Sequence, residues 1–124
     1  MARILIADDD PMIRRLLEVT LVAAGHTVTL AEDGREALEL LAQELPDIFL
    51  LDEMMPYLTG TEVLQVLNTN GVIKNLPVVL MTARSQSEDV AEGLALGASE
   101  YVAKPFSPKD MVAVVNRLTS AIPA

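Results

Sequence analysis

The chain of 124 residues contains no cysteine, and its nine Lys and Arg are outnumbered by eighteen Asp and Glu. The missing cysteine excludes a disulfide scaffold and any thiolate metal site, while in a domain of this size it says little about compartment. Scarcity of cations argues against a direct reader of the nucleic-acid backbone, which needs clustered Lys and Arg; here the formal net charge is -9. No apolar run approaches the ~20 residues of a membrane span. The short run from Ile4 to Ala7 leads into three aspartates, not into a signal-peptide cleavage site. Internal repeats and low-complexity segments are lacking too, so the expectation is one cytoplasmic domain over residues 1–124, with no membrane contact.

What is present is a fivefold alternation of apolar runs with helical patterns, the signature of a parallel sheet covered on both faces. Strands are expected near residues 3–8, 27–31, 47–52, 77–82 and 99–103. Asp10-Pro11 offers an N-cap followed by proline at the first helical position, where its missing N–H costs nothing. Ile13, Leu16, Leu17, Leu21 and Ala24 then form the expected inner face, and Gly25 suits a left-handed stop. Asp33 with Glu36, Thr59 with Glu62, Ser85 with Glu88 and Ser107-Pro108 with Asp110 each place a cap three residues ahead of an acid. Four more helices are therefore expected to start near 34, 60, 86 and 108. The stretch from Asn68 to Pro77, with its Asn70-Gly71 turn signal, reads as a long loop before the fourth strand.

Chemistry-bearing residues stand where the apolar runs stop. Asp8 and Asp9 close the first run, Asp52 closes Ile48-Phe49-Leu50-Leu51, Thr82 closes Val78-Val79-Leu80-Met81, and Lys104 follows Tyr101-Val102-Ala103. In parallel strands of one sheet these ends share an edge, the place where open α/β sheets bind ligands. Three carboxylates, a hydroxyl and an ammonium would converge on one crevice.

The strings Ala7-Asp8-Asp9-Asp10, Leu51-Asp52-Glu53-Met54-Met55-Pro56, Met81-Thr82-Ala83 and Tyr101-Val102-Ala103-Lys104-Pro105-Phe106 closely resemble the response-regulator receiver domain of two-component signalling. The resemblance runs from about Arg3 to Leu118. It implies a flavodoxin-like (CheY-like) α/β three-layer sandwich, a five-stranded parallel sheet of order 2-1-3-4-5 with five helices. It also implies that Asp52 accepts a phosphoryl group from a histidine kinase or histidine phosphotransfer protein, with Mg²⁺ as cofactor. Asp9 and Asp52 would bind the metal directly, Asp8 largely through a metal-bound water, and Met54 through its backbone carbonyl. Lys104, followed by a cis proline, would pair with Asp52 at rest and with a phosphoryl oxygen afterwards. Thr82 would be the switch hydroxyl and Tyr101 the aromatic that reports its movement. The face of the fourth helix, fifth strand and fifth helix would then address a downstream protein or output domain.

Taken singly, these residues have plainer readings. An acid pair after a strand is often a solvated cap, Asp10 reads as an N-cap, and Thr82, Tyr101 and Lys104 alone would be ordinary strand-end or surface residues. His26 reads as a solvated or capping residue in a Gly-His-Thr turn more readily than as a phosphohistidine, Met54-Met55 as loop packing, and Arg14-Arg15 as a solvated helix face. Two other classes are compatible with the fold. A phosphohydrolase with an Asp nucleophile would carry Asp-x-Asp and a cap segment, but Glu53-Met54 follows Asp52 and there is no room for a cap. A flavodoxin-like electron carrier needs a phosphate-cradling loop where Asp8-Asp9-Asp10 would repel phosphate.

Two departures from the family pattern carry expectations. Met54 and Arg84 offer no carboxamide or carboxylate to orient a hydrolytic water, which suggests slow self-dephosphorylation. Val90, Ala95, Ser99, Val114 and Asn116 stand where the winged-helix subfamily carries charges for dimerisation, with Glu100 and Arg117 kept. The expectation is a monomer or a weak phosphorylation-dependent dimer, either stand-alone or joined to a different kind of output domain.

Overall fold

The computed structural model describes residues 1–83 and 87–120, with residues 87–89 described through their backbone alone. The elements follow in the order β1 (Arg3–Ala7), α1 (Pro11–Ala23), β2 (Thr27–Ala31), α2 (Gly34–Gln43), β3 (Ile48–Asp52), α3 (Gly60–Thr69), β4 (Val78–Ala83), α4 (Ser87–Ala95), β5 (Glu100–Lys104) and α5 (Pro108–Thr119). All strand pairs are parallel and the sheet order is β2-β1-β3-β4-β5, as expected.

Period-two alternation splits the strands between two cores. Leu5, Ala7, Phe49, Leu51, Val78 and Leu80 pack with α2, α3 and Ala98, while Ile4, Ile6, Ile48, Leu50, Val79 and Met81 pack with α1 and α5. All five residues of β3 are buried. A fully covered central strand holds its last residue, Asp52, in a fixed place.

The capping signals hold in three helices. Asp10 accepts from the Met12 amide and Asp33 from that of Glu36, and Thr59 and Glu62 form a full capping box. Gly25 takes φ +97° at the end of α1. Ser107 occupies the N-cap of α5 but makes no side-chain cap bond, and Pro108 begins that helix. Ser85 lies outside the described residues.

Several sequence expectations need correction. On α1 the inner ridge is Ile13, Leu17 and Leu21; Leu16, turned about 100° from Leu17 on the helix wheel, is exposed, as is Ala24, which is already the C-cap. The segment 68–77 is not all loop: α3 runs on to Thr69 and a 3-10 helix spans Val72–Asn75. His26 is buried, not solvated. Its Nδ1 accepts from the Ala2 amide at 3.0 Å and its Nε2 lies 2.9 Å from Asn116 Oδ1, so the ring ties the start of β1 to α5. Of the two methionines, Met55 packs into the core and Met54 faces solvent. Among the described residues no helix is long and apolar enough to cross a membrane.

Candidate functional site

The carboxyl ends of β1, β3, β4 and β5 meet at one rim because parallel strands in register end together. Asp52 pairs in register with Met81, so Thr82 lies one residue beyond it on the neighbouring strand, and Ala83 pairs with Lys104. Asp8 follows β1 and is held to the next strand by its amide, which donates to Ala31 O at 3.2 Å. The residues singled out from sequence thus arrive on four adjacent elements.

Asp8 is fully buried and both of its oxygens are engaged. One accepts from the Asp10 amide at 2.9 Å, the other from Lys104 Nζ at 3.0 Å. The same ammonium lies 2.9 Å from Asp52 Oδ1. The Lys104-Pro105 peptide is cis. Asp9 is exposed, yet it offers an oxygen within the 4.8 Å that encloses one oxygen from each of Asp8, Asp9 and Asp52. This all-oxygen, anionic donor set fits a small hard divalent cation.

Charge in the site is unbalanced, since three carboxylates share a single ammonium. Burial pushes the Asp52 carboxyl up to about 7, and the charges of Asp8 and Asp9 add to the effect of burial; the hydrogen bond and charge of Lys104 oppose both. Lys104 is itself desolvated, which favours its neutral form, but its bonds to Asp52 and Asp8 outweigh that and hold it protonated. A cation entering here would meet acids already short of positive charge.

Thr82 is 2 % exposed, and its Oγ1 has no hydrogen-bond partner among the described residues. An unpaired buried hydroxyl forfeits the water it gave up. Tyr101, by contrast, points outward and is 46 % exposed. Arg84 lies outside the described residues.

Two residues at the rim escaped the sequence reading. Arg14, expected on a solvated face, is mostly covered; it donates to the backbone oxygen of Asp8 at 2.8 Å and reaches Glu32 at 3.3 Å. It therefore braces the turn that carries Asp8 and Asp9. Glu53 is 3 % exposed, and its carboxylate accepts from the Thr61 amide at 2.6 Å and from the Thr61 hydroxyl at 2.7 Å. Its position at the start of the β3–α3 connection, directly after the apolar run, was the available signal. At β5 and α5, Arg117 binds Glu100 of the same chain at 2.5 Å, Val114 packs on the core and Asn116 is engaged by His26. Val90 is partly covered, while Ala95 and Ser99 are exposed.

Comparison with known proteins places this geometry. The family model for the response regulator receiver domain matches residues 4–116. A probable transcriptional regulator ycf27 from Guillardia theta is 44% identical over 114 residues, covering 92% of this chain and 44% of that protein. Response regulator MprA of Mycolicibacterium vanbaalenii is 42% identical over 116 residues, covering 94% of this chain and 49% of its own length. The chain thus spans about half the length of these curated relatives. Among solved structures, the Francisella response regulator 1452 receiver domain superposes with a TM-score of 0.91 at 33% identity, covering 99% of this chain and 100% of that one. A match along nearly the whole chain, joined to the parallel sheet and its acidic rim, makes this protein a member of the response regulator receiver domain family of two-component signalling.

Proposed function

We propose that the chain is a phosphoryl-accepting switch in which Asp52 is the acceptor. The observation that carries this reading is the rim itself: Lys104 bridges Asp8 and Asp52, beside a buried Thr82 hydroxyl that has no partner among the described residues. A phosphoryl group on Asp52 would give both donors an acceptor.

In the proposed reaction an Asp52 oxygen attacks the phosphorus of a phosphohistidine on a sensor kinase or phosphotransfer protein. The O–P bond forms as the N–P bond breaks, and the imidazole leaves with the electron pair. Asp8, Asp9, Asp52 and the Met54 carbonyl would hold Mg²⁺, which when bound would neutralise charge for an attack between two anions. Asp9 suits direct ligation because it is open to solvent, whereas both oxygens of Asp8 are engaged, which suits contact through water. Lys104 then transfers its bond from Asp52 to a phosphoryl oxygen. Thr82 donates to another, and Tyr101 turns inward as the hydroxyl moves, repacking the α4–β5–α5 face.

That face would address a downstream protein or output domain, from a monomer or a weak phosphorylation-dependent dimer. The internal Glu100–Arg117 pair and the covered Val114 support weak rather than strongly ionic pairing. The relatives named as transcriptional regulators are about twice as long as this chain, so contact with DNA would belong to another part of such a protein.

Asp52→Asn should abolish labelling by acetyl phosphate in the presence of Mg²⁺ while the circular dichroism stays that of the wild type. Undiminished labelling of the variant would refute the acceptor assignment. Met54 offers no group to orient a hydrolytic water, so the wild-type label, once chased, should decay slowly; loss within seconds would refute slow self-dephosphorylation.

A further inference from the structure

The β3–α3 connection contains a conformational oddity that the acceptor chemistry does not use. Tyr57 has φ +71°, a left-handed backbone in a bulky aromatic residue, and is the one non-glycine of this kind among the described residues. Its ring is pinned: Arg35 Cζ lies 3.5 Å from the ring centroid, a cation–π stack across the gap to α2. The start of α2 is pressed against the same connection, because a Cβ on Gly34 would come within 2.8 Å of Leu58 Cβ and 2.9 Å of Val63 Cγ2. A residue with a Cβ at 34 would therefore push the start of α2, and Arg35 with it, away from the connection.

Within the connection the Leu58 amide donates to Pro56 O at 2.8 Å, a tight turn closed across Tyr57. The Glu53 amide donates to Met81 O and the Gly60 amide to Glu53 O, which fixes the two ends. Between them Met55 is buried, whereas Met54 and Tyr57 are 62% and 66% exposed. Beyond that turn bond, two side chains hold the backbone from 54 to 57: Met55 from the core side and Tyr57 from the solvent side.

We propose that Arg35 and Tyr57 are positioning residues for the metal site, a clamp that holds the strained connection so that the Met54 carbonyl faces the acidic rim. The clamp rests on the Met54 ligand assignment above. It acts through the backbone and touches neither metal nor phosphoryl group. Local strain of this kind persists only where the surroundings over-determine it, and here the Leu58–Pro56 turn bond, the stack and a buried methionine act together.

The test is Mg²⁺ binding to the unphosphorylated protein by isothermal titration calorimetry, alongside melting curves in chelator. Arg35→Ala and Tyr57→Ala should each weaken Mg²⁺ binding on the order of tenfold, whereas Arg35→Lys and Tyr57→Phe keep a cation over a ring and bind as the wild type. Tyr57→Gly separates positioning from stability: it relieves the left-handed strain, so it should melt no lower than wild type in chelator, yet bind Mg²⁺ as weakly as Tyr57→Ala. Wild-type affinity in Tyr57→Gly or Arg35→Ala would overturn the clamp. Asp9→Ala serves as the control for the site itself. If wild type and Asp9→Ala bind Mg²⁺ equally, the metal site as assigned fails and the clamp fails with it; if only the clamp variants match wild type, the site stands alone.

Discussion

Asp52 holds its proton further up the pH scale than an aspartate in water because burial, with Asp8 and Asp9 close by, outweighs the help of Lys104. An acid whose pKa rises on folding keeps its proton in the native state over a range where the unfolded chain has lost it. Its contribution to stability is therefore largest below pH ~4, falls as pH climbs towards about 7, and is level beyond. In chelator, the stability of wild type relative to Asp52→Asn should decline over that window. A difference independent of pH, measured by urea unfolding, would mean that Asp52 is ionised throughout. Thr82 supplies the second residue-scale prediction. Its hydroxyl is buried without a partner among the described residues, so Thr82→Val should raise the stability of the resting domain by about 1 kcal/mol. The same variant should accept phosphoryl on Asp52 yet fail to turn Tyr101, read by the NMR shifts of that ring.

At the scale of elements, the site depends on how closely α3 abuts the end of β3. A Cβ on Gly60 would stand 2.6 Å from Asp52 O and 2.9 Å from Glu53 Cα, so Gly60→Ala must push the helix off the strand that carries Asp52. A loss of about 1–3 kcal/mol is expected, with slower labelling by acetyl phosphate. Thr59→Ala, which only opens the capping box, should cost about 1 kcal/mol and leave labelling intact. Urea unfolding and a labelling time course together separate the two. These elements show what can be read in a linear chain. Strand ends and caps were legible because their signals are local: apolar runs that stop at an acid, or Asp and Thr three residues before Glu. Arg14 was not legible, since only the turn of α1 over the β1 end brings its guanidinium to the Asp8 carbonyl. His26 meets Asn116 across 90 residues of sequence, and no local pattern announces such a contact. The α3 end and the 3-10 helix hidden in 68–77 failed for the converse reason, that Asn and Gly are turn residues which here close one helix and open another.

For the molecule as a whole the net charge is -9, and three of its eighteen acids meet at a rim whose donor set suits a cation. That rim has no local existence. Asp8, Asp52 and Lys104 come from the first, third and fifth strands, and Thr82 from the fourth, so each reaches its neighbours only when the full sheet is assembled. Occupancy of the rim is consequently a measure of global folding. A cation or phosphoryl group bound there would fasten together strands that the chain itself connects only through helices, and would resist every fluctuation that parts them. Amide hydrogen exchange should slow on Mg²⁺ addition by a similar factor in β1, β3 and β4, the strands far from the metal end included, rather than in the β1–α1 turn alone. Protection confined to that turn would mean that the ligand grips a loop. Uniform protection would mean that the domain senses its ligand as a tightening of the entire sheet, so that its lifetime against proteolysis would rise and fall with the signal it carries.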